Sequence, residues 1–425
     1  MNTPKMVIVD GVRTPFCKAG TDLAGLGADE LGRIAVNNLL VRTDLDPHLI
    51  DEVIVGCVGN PNDAANLGRV VALRAGIPES VPAITVSRNC ASGMEAFTQA
   101  YEKMCADRGE VFVVAGVESM SNYPFIYNEA AKAKFTKLAR ARSLMQRLKT
   151  LASFRVSDFN PRIALQLGLN DPVCGMNMGE TAELLAREGG ISREQQDEFA
   201  LESHLRAVAA LELLEEEICP VYSNGKPILY DNGIREQQTM EALGKLRPVF
   251  DRRHGTVTAG NSSQITDGAV ALLVMTESKA AELDFEPLGE LSGYAYAGCE
   301  PSRMGLGPVY AIAKAEDRTG LSLDSADLIE INEAFAAQVL AVAQATESEK
   351  FARKVLGRSA PVGKIAPEKL NVNGGGIALG HPVGATGARL ILSSLKELKR
   401  RHRERALVSL CVGGGQGAAI WLQAY

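Results

Sequence analysis

Four residues stand where their types and settings suit nucleophilic and acid–base chemistry: Cys90, Asn332, His381 and Cys411. Cys90 follows the β-branched run Ile84-Thr85-Val86, which reads as a buried strand, and precedes a segment with apolar residues at Phe97, Ala100, Tyr101, Met104 and Cys105, the spacing of one helix face. A thiol at this strand-to-helix turn lies at the positive end of a helix dipole beside unpaired N–H groups, which favours thiolate. A lone Cys in an apolar context is usually an inert core residue, so the reading depends on the other three. His381 sits between glycines in the run Asn373 to Gly387, with Pro382 restricting the backbone beside it. Paired with a thiol, it is the natural general base.

Cys411 opens Cys-Val-Gly-Gly-Gly-Gln-Gly, ending at Gly417. Such a turn can expose backbone N–H groups toward a developing oxyanion, while a second thiol delivers or removes a proton. The same glycines would also suit a phosphate cradle or a plain hairpin. Asn332, in Asn-Glu-Ala-Phe-Ala, reads as a helix start; it either caps that helix or fixes a water or a carbonyl.

The elements that must position these residues follow from the rest of the chain. Its 425 residues, 46% apolar, suggest two or three domains. A net charge of −6 gives no global reason to bind nucleic acid, and no zinc-ligand spacing appears. Eight cysteines without a Cys-x-x-Cys pair read as free thiols in a reducing compartment. Met6 to Val9 reads as a strand close to the first residue, leaving no room for a signal segment, and no apolar run reaches the roughly 18 residues that cross a bilayer. The expected location is the cytoplasm.

Strand and helix patterns alternate through residues 1–121, which argues a largely parallel sheet with helices on both faces. A long polar insertion follows, and its stretch Lys132 to Arg155 carries eight Lys and Arg and no acidic residue, interleaved with Leu138, Leu144, Met145, Leu148, Leu151 and Phe154. This reads as one or two basic amphipathic helices, either a solvated face or a surface for an anionic membrane, a partner or ligand phosphates. Alternation returns near Pro287: a strand Leu288 to Tyr296, a helix from Pro308, a strand Leu328 to Ile331, a helix opening at Asn332, a strand at Leu370 to Asn373, a helix from Ala385 and two closing strands. The second half repeats the grammar of the first, so the expected architecture is a duplicated α/β domain with its site at the seam. The expected divisions are 1–121 with 254–284 as one half, 122–253 as an inserted loop subdomain, and 285–425 as the other half.

Taken together, Asn89-Cys90-Ala91-Ser92-Gly93, Asn332-Glu333-Ala334-Phe335-Ala336, Gly380-His381-Pro382-Val383-Gly384 and Cys411 with Gly413-Gly414-Gly415 resemble the thiolases, enzymes that make or cleave 3-ketoacyl-CoA. The resemblance implies the duplicated five-layered αβαβα fold. It also implies that Cys90, deprotonated by His381, takes the acyl group, that Cys411 handles the acetyl-CoA α proton, and that coenzyme A then accepts the acyl group. His381 with a water on Asn332 would hold the enolate oxygen, and the N–H groups of Cys90 and Gly413 the tetrahedral oxyanion. A pantetheine tunnel would be lined by Met178, Phe250, Ala259, Ser263, Met304 and Phe335. No metal or other cofactor is implied, coenzyme A being a substrate. The resemblance further implies at least a dimer, with dimer and tetramer both open.

Two departures bear on substrate and assembly. Asn177 stands before Met178-Gly179, where many thiolases carry His. The basic segment resembles thiolase subunits of β-oxidation complexes, yet those subunits usually carry His where this chain has Asn332. The implied activity is 3-ketoacyl-CoA thiolysis on medium or long chains; the rivals are an acetyl-CoA acetyltransferase dedicated to acetoacetyl-CoA, a decarboxylating ketoacyl synthase, which Cys411 argues against, and a non-catalytic CoA-binding scaffold. The basic segment would then hold a hydratase/dehydrogenase subunit or a membrane surface.

Overall fold

Among the residues described by the computed structural model, 4–223 and 225–425, ten strands join into one sheet. They are β1 (Met6–Arg13), β2 (Cys17–Lys18), β3 (Glu52–Gly56), β4 (Ala83–Val86), β5 (Val111–Ser119), β6 (Thr266–Thr276), β7 (Gly289–Gly298), β8 (Leu328–Ile331), β9 (Arg405–Val412) and β10 (Gln416–Ala424). Their order is β8-β9-β10-β7-β1-β6-β5-β3-β4, with β2 on β6. Residues 1–3 of the expected first half and Asn224 of the expected insertion lie outside the described residues.

The sheet is mixed rather than largely parallel. Parallel pairing is confined to β3 with β4 and β5, and to β8 with β9; the strands between run antiparallel. Part of the reason is local: the three-glycine turn after Val412 joins β9 to β10, and so short a loop permits only an antiparallel pair.

Alternation of side chains across the strands builds the layers. β5 turns Val111, Val113, Ala115 and Val117 toward the helices Ala28–Thr43 and Leu67–Arg74, and Phe112 and Val114 to the other side. There they meet the helices Ser92–Cys105 and Thr386–Arg401, which also receive Val408 and Leu410 of β9 and Ile420 and Leu422 of β10. The opposite residues of those strands, Leu407, Cys411, Ala419 and Trp421, pack with the helices Gly307–Thr319 and Ala336–Glu347. Five layers, αβαβα, result. The two halves of the sheet join where Val7 pairs with Glu290 and Ile8 with Gly289.

The halves repeat one order. β1-β6-β5-β3-β4 corresponds to β7-β10-β9-β8, and the place of β4 is taken by a single bridge from Ile329 to Leu370. The strand expected at Leu370 to Asn373 is therefore only that bridge; Asn371 leaves extended geometry at φ 45° and caps the end of β8 with its side chain.

The chain divides into a larger unit, residues 1–122 and 171–425, and a smaller one, Tyr123–Asn170. This boundary differs from the expected insertion 122–253, because residues 171–253 are tied into the main body. Fully buried Arg13 on β1 makes a two-point bond to Asp231 (2.7 and 2.9 Å) and another to Glu217 (3.2 Å). Ser203 donates to Glu333 at 2.6 Å. The smaller unit holds the helices Glu129–Arg140 and Leu144–Leu151 and a two-residue strand pair, Phe125–Ile126 with Arg162–Ile163. Its ring contacts run Tyr127, Phe135, Phe154, Phe159 at 5.0, 4.9 and 5.6 Å. Leu144, Met145, Leu148 and Leu151 face outward, Leu144 at 75% exposure.

Candidate active site

The Cys90 turn has the expected strand-turn-helix form. β4 ends at Val86, and the helix Ser92–Cys105 begins with Ala91 as its N-cap. Between them Asn89 adopts φ 44°, its carbonyl accepts from Ser92 N–H and Oγ, and Arg88 N–H donates to Ser92 Oγ at 2.9 Å. Cys90 is half-buried. Its surroundings do not favour a resting thiolate, contrary to the helix-terminus argument. Burial pushes the thiol up, and the N–H groups of Gly413 and of Cys90 itself offset only part of this.

His381 follows a short helix, Gly376–Leu379, and Gly380 at φ 98°; a Cβ on Gly380 would stand 2.4 Å from Thr266 Cγ2. The loop lies against the first half of the chain: Gly384 N–H donates to buried Glu118 at 3.0 Å, and a Cβ on Gly93 would approach Gly384 O to 3.0 Å. His381 is thereby carried toward the Cys90 turn. Its Nδ1 is 2.6 Å from Thr386 Oγ1, and its Nε2 is 3.3 Å from Asn332 Nδ2. Burial, then the charge of Arg389, pushes the imidazole down to about 3, so it is neutral at neutral pH and able to accept a proton.

Asn332 directly follows the end of β8 instead of opening a helix. The helix begins at Ala336, with Phe335 as its N-cap, and Asn332 N–H donates to Ser409 O at 3.0 Å. Freed from capping, its side chain turns to His381. Its Oδ1 is buried and has no hydrogen-bond partner among the described residues.

Cys411 is at the end of β9, buried, and its thiol is pushed up by burial and by neighbouring Cys90. Gly413 leads the turn Gly413-Gly414-Gly415, where the latter two adopt φ 88° and 78°. The arrangement therefore holds a neutral thiol with N–H donors beside it, a neutral imidazole and a second protonated thiol. That set can move a proton on attack, stabilise an oxyanion and protonate a carbanion.

Of the expected tunnel residues, Met178, Phe250, Met304 and Phe335 pack in one cluster with Cys411. The Phe250 and Phe335 rings meet edge to face at 6.1 Å. A Cβ on Gly413 would be 3.4 Å from Met178 Sδ. Ser263 N–H donates to Ala334 O at 2.9 Å, which places it beside Phe335, whereas Ala259 is exposed. A cleft of about 540 Å³ opens next to Phe250, with Arg187, Arg252 and Arg253 in its walls. No group of three or more His, Cys, Asp or Glu able to hold a metal ion occurs among the described residues.

Sequence reasoning gave no role to Asn89, Glu118 or Thr386. Glu118 accepts from Gly59 N–H at 2.8 Å and Val58 N–H at 3.1 Å as well as from Gly384. Its signal was present: a carboxylate closing the apolar run of β5 must be satisfied where it is buried.

Comparison with known proteins shows the family. The thiolase N-terminal domain family matches residues 6–278 and the thiolase C-terminal domain family residues 285–424. The chain is 41% identical to the 3-ketoacyl-CoA thiolase of Yersinia enterocolitica over 98% of its own length and 96% of that protein. It is also 41% identical to the 3-ketoacyl-CoA thiolase of Pectobacterium atrosepticum, over 99% and 96%. Among solved structures, it is similar to the Bacillus anthracis acetyl-CoA acetyltransferase (TM-score 0.86, 38% identity, 100% and 99% covered). It is similar as well to the human mitochondrial 3-ketoacyl-CoA thiolase in complex with CoA (TM-score 0.85, 36% identity, 100% and 98% covered). The chain belongs to the thiolase family.

Proposed function

We propose that the protein catalyses CoA-dependent cleavage of 3-ketoacyl-CoA to acetyl-CoA and a shortened acyl-CoA, and the reverse Claisen condensation, through an acyl-cysteine on Cys90. The observation that carries the proposal is the neutral, buried His381 imidazole, held by Asn332 and Thr386 on a loop whose Gly384 packs against Gly93 of the helix that follows Cys90. His381 Nε2 takes the Cys90 proton as sulfur attacks the 3-keto carbon. The oxyanion is held by the N–H groups of Cys90 and Gly413. Collapse breaks the bond between carbons two and three, and Cys411 protonates the departing enolate, whose oxygen is held by His381 and a water on Asn332; the buried Oδ1 of Asn332 supplies an acceptor for that water. Coenzyme A then gives its thiol proton to Cys411, attacks the acyl-cysteine, and the released Cys90 recovers its proton from His381. Coenzyme A is a substrate here, with Met178, Phe250, Ala259, Ser263, Met304 and Phe335 as the residues assigned to its pantetheine arm.

Medium or long acyl chains are the proposed substrates, in the cytoplasm, with the 132–155 segment engaging a hydratase/dehydrogenase subunit or a membrane surface. A dedicated acetoacetyl-CoA enzyme is the second reading, favoured by the likeness to the Bacillus anthracis acetyl-CoA acetyltransferase. Thiolysis of 3-ketoacyl-CoAs of about four to sixteen carbons, wild type beside Cys90→Ala, tests both, because turnover needs the nucleophile. The proposal expects turnover that the variant loses and a profile favouring the longer chains. Turnover of the four-carbon substrate alone would establish the second reading, and none at all would overturn both.

A further inference from the structure

Asn89, immediately before the nucleophile, has a backbone conformation and a side-chain contact that the chemistry above does not use. Its φ of 44° lies in the left-handed region, which disfavours residues with a Cβ and which Asn tolerates better than most. Its Nδ2 donates to the carbonyl of Gly413 at 2.7 Å, joining positions 324 residues apart. The next residue upstream repeats the reach: Arg88 donates to Gln416 Oε1 at 3.2 Å while its guanidinium lies 4.1 Å from the Tyr296 ring centre.

The glycine turn needs such a tie. Gly413, Gly414 and Gly415 have no side chains to pack, and two of them sit at positive φ. Gly415 is held through its carbonyl by Cys299 N–H at 2.8 Å, and Gly413 through its carbonyl by Asn89. The two N–H groups assigned to the oxyanion come from different halves of the chain, one on Cys90 and one on Gly413.

We propose that Asn89 is a positioning residue: by donating its side-chain amide to Gly413, it sets the spacing of the Cys90 and Gly413 N–H groups. The assignment rests on the thiolase reading of Cys90. Strain at a non-glycine φ next to a nucleophile fits this role, since the amide that Asn brings can be supplied by neither Gly nor Ala.

Asn89→Gly separates the two properties, because glycine adopts the same φ freely and lacks the amide. Asn89→Asp keeps the side-chain size and cannot donate. In both variants kcat for thiolysis is expected to fall roughly tenfold to a hundredfold with KM for coenzyme A within about twofold, the pattern of misplaced transition-state donors. Alkylation of Cys90 by iodoacetamide, followed on its own peptide by mass spectrometry, is expected to move its pH midpoint upward, because the Gly413 N–H that supports the thiolate is no longer held. That readout needs no substrate, so a wild type without turnover would fault the thiolase reading and leave the tie testable. Wild-type kcat in Asn89→Gly would overturn the proposal, as would a lowered kcat with an unmoved alkylation profile. Asn89 is exposed, and should Asn89→Gly melt early, Asn89→Asp carries the same two readouts.

Discussion

The Thr386 hydroxyl carries one proton, and Pro382 O, 3.1 Å away, takes it. Thr386 Oγ1 is then free to accept from His381 Nδ1–H at 2.6 Å, which leaves the lone pair on Nε2, where Asn332 Nδ2–H meets it. One hydroxyl thus selects the basic nitrogen. Thr386→Val, which keeps the shape, is expected to lower kcat by roughly 10²-fold, the size of one general-base contribution, while Thr386→Ser stays near wild type. Equal loss in both variants would show that the hydroxyl does not act. The buried imidazoles also set a pH response. His381 is pushed down to about 3 and His204 to about 4, whereas the unfolded chain takes up these protons near 6.5. Acid therefore favours unfolding through this window, and stability rises with pH until about 6.5. Differential scanning fluorimetry should show the melting temperature falling from pH 6.5 to 4, and falling less in His381→Asn.

At the scale of elements, the charged triplet under β1 holds the segment 217–231 to the sheet. Asp231→Ala leaves the Arg13 guanidinium buried with Glu217 alone among its carboxylate partners, and a loss of about 3–5 kcal/mol is expected in urea unfolding. A loss below about 1 kcal/mol would mean that water reaches Arg13. Such ties also mark where the sequence stops being legible. Strands and helices showed in their periodicity, and the helix expected from Ala385 runs Thr386–Arg401. The turns bearing His381 and Cys411 showed because glycine and proline mark them, and the Cys90 turn because a β-branched run gives way there to helical spacing. Asn89 to Gly413 and Arg13 to Asp231 did not show, since each joins residues more than two hundred positions apart and nothing in local spacing announces the partner. Asn332 was misplaced for a related reason. Asn suits a helix cap, and only the register of β8 on β9 reveals that it closes a strand.

Across the whole molecule, every candidate site residue lies in the larger unit, while the basic run and its outward leucines lie wholly in Tyr123–Asn170. The strand before Cys90 is an edge of the sheet, and Ile84 on it is 38% exposed, so self-association through β4 is the expected assembly. Light scattering at micromolar concentration should return at least a dimer mass; a monomer mass would refute it. The position of β10 has a further consequence, for synthesis. It lies inside the sheet between β7 and β9, both of which leave the ribosome earlier, and it braces the turn that bears Gly413. Until residues 416–424 have been translated, the second half lacks an interior strand and the proposed oxyanion site at Cys90 stays incomplete. A stop codon only a few residues short of Ala424 should therefore act as a null allele, and the proposed nucleophile stays unarmed until this strand has been made.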